Sequence, residues 1–229
     1  MKVNQHIKVA VDAVVFGYTG NELELLLIQQ KYGSEKNKWA LPGGFLKDEE
    51  DLQTGVAREL NEETGVNPNY LEQLFTFGSI NRDPRGRVIS VSYMALINPK
   101  NYVLKAATDA SDAKWFSIKE LPPLAYDHPE IVKKGLERLK SKIHYQPIGF
   151  ELLNKEFPFS DLEKLYQTIL DKSIDRRNFR KKMLSFGVLE ETDKSYKPSS
   201  GRPAKLFKFN KRKYNELEEK GFHFEIKFA

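Results

Sequence analysis

None of the 229 residues is cysteine, which excludes disulfides, thiolate metal sites and cysteine nucleophiles. No run approaches the roughly 18 apolar residues that a membrane-crossing helix needs. The opening "MKVNQHIKVAVDAVVF" lacks the charged-then-apolar layout and small-residue cleavage site of a signal peptide. No internal repeat relates the two halves of the chain. These absences, with 40% hydrophobic and 30% charged residues, lead to the expectation of a soluble globular protein of the cytoplasm. The length suits one large domain or two modest ones.

Residues 1–148 also lack net charge, with 19 Lys+Arg against 19 Asp+Glu, whereas residues 149–229 hold 18 against 13. Within that second part, residues 175–213 carry 13 basic and 4 acidic side chains. All of the excess positive charge therefore lies in one C-terminal stretch. It is either a surface for a phosphate-rich partner or a solvated basic tail.

Hydrophobic patterning divides the chain at the same place. "IKVAVDAVVF" (7–16) and "LELLLIQQ" (23–30), separated by "GYTGNE", read as a hairpin. A helix is expected over about 51–63, entered from Asp48 and stopped by Gly65, which can take the left-handed conformation at a helix end. Strands follow at 71–78 and 88–97, and a second helix from Pro129 places Ile131, Val132, Leu136, Leu139 and Ile143 on one face. Beyond 149, residues 160–171 read as a helix with Ser160 as N-cap, and 175–187 as a basic helix with Phe179, Met183 and Leu184 inward. Residues 188–209 then read as strand, Pro/Gly/Ser-rich loop and strand, so the order fits a small winged helix-turn-helix.

"RELNEETGV" (58–66) puts Glu59, Glu62 and Glu63 on one helical face, where like charges repel. Such a cluster is either a solvated acidic face or a set of hard oxygen ligands for Mg²⁺ or Mn²⁺. The surrounding sequence decides between them. Gly44, Glu50 and Arg58-Glu59-Leu60-Asn61-Glu62-Glu63-Thr64-Gly65-Val66 resemble the Nudix box of the Nudix hydrolase superfamily at every fixed position. The resemblance covers about residues 5–145 and implies an α/β fold, the Nudix α/β/α sandwich with a mixed sheet.

It also implies roles for these residues. Glu59, Glu62 and Glu63 would hold divalent cations bridging a diphosphate, and Glu50 adds a ligand or orients one. Arg58 braces the glutamates, and Glu50, Glu62 and Arg58 form the catalytic set. The metal would act as Lewis acid and template for attack of water on phosphorus. A general base is not identified; Glu50 and the acidic residues near 109–112 are the candidates. "NRDPRGR" (81–87) looks like the loop of Nudix proteins that handle NAD-related compounds and ADP-ribose. Arg82, Arg85 and Arg87 there are either ligands for phosphate and ribose or a polar turn. His128 is either a ligand contact or a residue at the helix start, and Trp39 is expected in the core rather than as an adenine platform.

"DRRNFRKKMLSFGVLEE" followed by "SSGRPAKLFKF" resembles the winged-helix domain of the NrtR-type Nudix-related transcriptional regulators. Domains at 1–148 and 149–229 are therefore expected. Arg176, Arg177, Asn178, Arg180 and Lys181 would enter the major groove of a double-stranded operator. Arg202 would serve as a wing tip, with Lys205 and Lys208 neutralising phosphates. The resemblance further implies a homodimer formed through the Nudix domains and an effector, ADP-ribose-like, NAD-related or a sugar, that alters DNA affinity. The intact box keeps a second function open, an ADP-ribose pyrophosphatase yielding AMP and ribose 5-phosphate.

Overall fold

The computed structural model describes residues 6–106, 110–197, 203–222 and 224–226. The chain divides into two compact units, one running to Arg138 and the other from Leu139 on, with residues 20–22 counted in the second.

The first unit is built on a seven-stranded mixed sheet. Strands β1 (Lys8–Tyr18) and β2 (Leu23–Gln30) form the expected hairpin, with Phe16 opposite Leu25. Short strands β3 (Trp39–Ala40) and β4 (Gly43–Phe45) pair with β2 and β1, and helix α1 (Leu52–Thr64) follows. Strands β5 (Leu71–Phe77), β6 (Val88–Ile97) and β7 (Ala110–Ser117) lead to helix α2 (His128–Lys142). β1 runs parallel to β6 from Lys8 opposite Val88 to Gly17 opposite Ile97, so the first strand is central rather than an edge.

Alternation along β1 sends Val11, Ala13 and Val15 to one face, where they meet Val56 and Leu60 of α1 and Val91, Tyr93 and Ala95 of β6. Fully burying each large aliphatic side chain stabilises by about 1.5–3 kcal/mol. Val14 points to the opposite face, against α2: a Cβ added to Gly135 would stand 2.9 Å from Val14 Cγ1. Helices thus cover both faces of the sheet, the α/β/α arrangement.

The cap of α1 differs from the expected Asp48. Asp51, in extended conformation, accepts from the Thr54 N–H at 2.7 Å, while residues 47–50 close a separate turn through Glu50 N–H to Lys47 O. Gly65 ends the helix in the left-handed conformation at φ 74°, donating to Asn61 O.

In the second unit, β8 (Phe157–Pro158) leads directly into α3 (Phe159–Leu170), followed by α4 (Arg176–Ser185), β9 (Leu189–Tyr196), β10 (Ala204–Phe209) and α5 (Lys211–Glu219). The three strands pair in the order β8-β10-β9, giving helix, turn, helix and wing. Ser160 is not the N-cap of α3. Pairing of Pro158 with Leu206 fixes the extended residue before the helix, which leaves Ser160 inside its first turn. Asp175 caps α4, accepting from Asn178 N–H at 2.7 Å. Leu184 was expected inward but is 38% exposed, because the buried positions Phe179, Met183 and Phe186 define a stripe that passes it by. Helix α5 lies beyond the elements anticipated from sequence. Among the described residues no helix is long and apolar enough to cross a membrane.

Candidate functional site

The site of the first unit begins with Gly43. Its φ of 155° and its closeness to β1, where a Cβ would stand 2.1 Å from Val11 O, admit only glycine. This lets the Gly43 N–H donate to Glu63 Oε2 at 2.8 Å, fastening β4 to α1. Gly44 makes room for the Glu59 carboxylate: a Cβ there would come 2.4 Å from Glu59 Oε1.

Arg58 organises the carboxylates. Its Nε and Nη2 donate to Glu50 at 2.9 and 2.5 Å, a bidentate contact that holds the Glu50 carboxyl down at about 2. Its Nη1 donates to Glu59 Oε1 at 2.7 Å and Glu62 Oε2 at 3.2 Å, and Nη2 also reaches Phe45 O at 3.2 Å. Burial pushes the Glu59 carboxyl up, partly opposed by Arg58. Among the described residues no three carboxylates or histidines close around one point as an ion's cage. Glu59 and Glu62 nevertheless converge on a single positive atom, Arg58 Nη1. Two converging hard-oxygen carboxylates fit a hydrated Mg²⁺ that completes its shell with waters and substrate phosphates.

A cleft of about 380 Å³ opens beside them. It is lined by Lys47, Arg58, Glu59, Glu62 and Glu63 of the box and by Asp12, Arg82, Asp83, Arg85, Tyr126 and His128. The second group of residues is tied together by a buried polar network. Arg82 donates from Nε and Nη2 to Asp127 at 2.8 and 2.6 Å, and Nη2 lies 3.6 Å from Asp12. Asp12 also accepts from Ser90 Oγ. His128 Nδ1 accepts from the Leu41 N–H at 2.9 Å, which places the proton of the neutral ring on Nε2, 3.6 Å from Asp12. Burial lowers the His128 pKa against the opposing pull of Asp12. Tyr126 holds a left-handed backbone (φ 52°), a costly conformation for a non-glycine residue, at the lip of the cleft.

The three arginines of "NRDPRGR" therefore have three fates. Arg82 lines the cleft, but its side chain is 3% exposed and tied to Asp127. Arg85 is half exposed, pairs with Asp83 at 2.7 Å, and lies over the rings of Phe45 (4.8 Å) and Tyr126 (5.2 Å). Arg87 is not brought to the cleft; its Nη1 donates to Gly78 O and Ser79 O and closes its own hairpin. Trp39 is half-buried and edge-on to Phe116 at 4.7 Å, away from the cleft lining. Asp112, among the acidic residues near 109–112, is ion-paired to Lys114 and does not line the cleft; Asp109 lies outside the described residues.

Sequence reading missed Asp12, Asp83 and Asp127. Asp12 carried a signal, a lone carboxylate inside the apolar run "VAVDAVV", because a buried charge needs partners.

In the second unit, Arg176, Arg177, Asn178, Arg180 and Lys181 are all exposed on α4. Arg176 Nε stands 3.0 Å from Glu163 of α3, and the Arg180 guanidinium lies 4.6 Å from the Phe159 ring and 5.5 Å from that of Phe207. Lys205 and Lys208 are paired across the wing with Glu191 (3.4 Å) and Glu190 (3.0 Å), so they carry less free charge than the sequence suggested. Arg202 lies outside the described residues.

Comparison with known proteins agrees with both halves. Residues 6–137 match the NUDIX domain model, and residues 149–209 match the NrtR DNA-binding winged helix domain. The chain is 35% identical over 209 residues to the ADPR responsive transcriptional repressor NtrR of Acinetobacter baylyi, covering 90% of this chain and 83% of that one. It is 39% identical over 128 residues to an ADP-ribose pyrophosphatase of Methanocaldococcus jannaschii, covering 56% and 72%. Shewanella oneidensis NrtR complexed with a 27mer DNA superposes with a TM-score of 0.81 at 30% identity, covering 96% and 99%. The NUDIX domain of that NrtR complexed with ADP ribose superposes with a TM-score of 0.56 at 36% identity, covering 59% and 90%. Nudix hydrolases as a family work with divalent metals. A complete Nudix box running from β4 through α1, a winged helix after it and similarity along nearly the whole length together place the chain in the Nudix superfamily, among the NrtR-type regulators.

Proposed function

We propose that the protein is a transcriptional repressor of the cytoplasm that holds operator DNA with its winged-helix domain and releases it when the Nudix cleft takes up ADP-ribose. The observation that carries this reading is the pairing, on one chain, of a carboxylate-and-arginine cleft with a winged helix whose basic helix α4 is exposed. Residues 1–148 form the effector domain and 149–229 the DNA-binding domain, and the working unit is a homodimer reading paired half-sites.

In the cleft, Glu59 and Glu62 would hold a divalent cation, Mg²⁺ or Mn²⁺, with Glu63 beside them on Gly43. The cation supplies neutralisation and Lewis acidity at a diphosphate. Arg85 is the cleft arginine with the exposure to meet an anionic or ribose group, while Arg82 and His128, held by Asp127 and the Leu41 N–H, line the cleft with it. An effector can only weaken operator binding by its differential affinity for the two states, so ADP-ribose must prefer the DNA-incompetent one.

The test is selection of binding sites by the full chain from a random duplex pool, followed by titration of the best duplex with ADP-ribose at physiological salt. Enrichment of one sequence and a several-fold loss of affinity on adding ADP-ribose are expected. No enriched sequence, or an affinity indifferent to ADP-ribose, would sink the reading.

The complete box favours a second activity, hydrolysis of ADP-ribose to AMP and ribose 5-phosphate. An assay with ADP-ribose and Mg²⁺ beside Glu62→Gln decides it: absence of both products from the parent protein rules it out.

A further inference from the structure

Four of the five basic side chains of α4 fall on two different faces, and the fifth, Lys182, lies 5.0 Å from the Phe186 ring. Positions 176, 179, 180 and 183 form a stripe at helical spacing, and Phe179 and Met183 on it are buried. The arginines of that stripe are engaged with the body of the domain. Arg176 meets Glu163, a carboxylate on α3 whose residue is only 9% exposed and which would be costly there without a cation. Arg180 rests over Phe159 and Phe207, contributed by α3 and β10.

The other stripe, 177, 178, 181 and 184, faces away from these contacts. It carries Arg177, Asn178 and Lys181, and it ends in Leu184, an exposed large apolar residue. An apolar side chain in line with basic and amide groups has a natural partner in the major groove, the thymine methyl group, as Arg has in guanine and Asn in adenine.

We propose that α4 reads base edges with Arg177, Asn178, Lys181 and Leu184, whereas Arg176 and Arg180 are positioning residues that fix the helix on the domain through Glu163 and the Phe159–Phe207 pair. The proposal rests on the DNA-binding reading above and adds which side chains carry the sequence preference.

The experiment measures complete base-preference profiles and salt dependence for the full chain and its variants, each checked for a parent-like circular dichroism melt. Arg177→Ala is expected to flatten the preference at one position by about 5- to 150-fold, and Leu184→Ala to flatten it at another position by less. Arg176→Ala, Arg180→Ala and Glu163→Gln are expected to weaken every sequence by one common factor, leaving the profile unchanged. Their dependence of log affinity on log salt should stay parallel to the parent's, where loss of a phosphate contact would lower the slope by about one. Arg176→Lys and Arg180→Lys, which keep a cation at the same place, should restore affinity and also serve if the alanine variants fail to fold. A changed base preference in Arg176→Ala or Arg180→Ala, or an unchanged profile in both Arg177→Ala and Leu184→Ala, overturns the proposal. A parent chain that enriches no sequence fails the DNA-binding reading itself, a result distinct from either.

Discussion

Arg82 and Asp127 face each other as a bidentate pair, Nε and Nη2 against the two carboxylate oxygens at 2.8 and 2.6 Å, with the arginine side chain only 3% exposed. The pair links the 81–87 loop to the start of α2 beneath the cleft. Removing one partner of a buried pair costs roughly 3–5 kcal/mol, because the other charge is left uncompensated. Arg82→Met and Asp127→Asn should therefore each lower the urea-unfolding free energy by roughly that amount. Trp39 and Trp115, the two tryptophans of the chain, both lie in the first unit, so their fluorescence reports its unfolding.

His128 gives the same unit a dependence on pH. Burial lowers its folded pKa below the ordinary 6.5, so protonation favours the unfolded chain. The stability it contributes is fully present above pH 6.5 and is lost as pH falls through the lowered folded value. Unfolding midpoints at pH 7.5, 6.5 and 5.5, values bracketing the ordinary His pKa of about 6.5, should fall toward acid in the parent. In His128→Asn, whose Oδ1 can still accept from the Leu41 N–H, that part of the decline should be missing.

Adjacent glycines should fail differently. In Gly43→Ala the new Cβ meets the Val11 carbonyl of the backbone at 2.1 Å, in a conformation that L side chains rarely adopt. Thermal melting should show a large loss of stability, above about 2 kcal/mol. In Gly44→Ala the obstacle is the movable end of Glu59, 2.4 Å away. That variant should fold nearly as the parent does, yet bind Mg²⁺ with ADP-ribose about tenfold more weakly by calorimetry, as expected for a lost charged contact.

The arginines of the 81–87 loop provide a matched pair. Arg85→Ala removes an exposed guanidinium from the cleft and should weaken ADP-ribose binding by about 10- to 100-fold, the range for hydrogen bonds to charged groups. Arg87→Ala removes one that closes its own hairpin and should change affinity by less than about twofold. Equal losses in titration calorimetry would contradict this division.

What could be read from sequence was local or motif-bound. The box, the helix that carries it, the hairpin and the succession of helix, basic helix and wing each depend on residues close together in the chain. What escaped depends on partners brought from far away. Nothing near Arg82 shows that Asp127 will accept from both its Nε and its Nη2, and Asp12 gains its meaning only when β6 and the start of α2 arrive beside it. Two helix starts shifted, one because Asp51 rather than Asp48 caps α1, the other because the pairing of Pro158 with Leu206 fixes the residue before α3 and leaves Ser160 inside it. Leu184 was misplaced because Phe186, at the end of α4, takes the next inward position after Phe179 and Met183.

The long parallel register of β1 with β6, from Lys8 opposite Val88 to Gly17 opposite Ile97, bears on how the protein is made. Contacts between distant parts of a chain form late, since closing the intervening loop costs entropy before any contact repays it. A ribosome delivers β1 long before its principal partner, and until then only β2, β4 and α1 shelter its apolar run. The newborn first domain is therefore most exposed to aggregation during that wait, and translation pauses between β4 and β6 should reduce the yield of native protein more than pauses after β6.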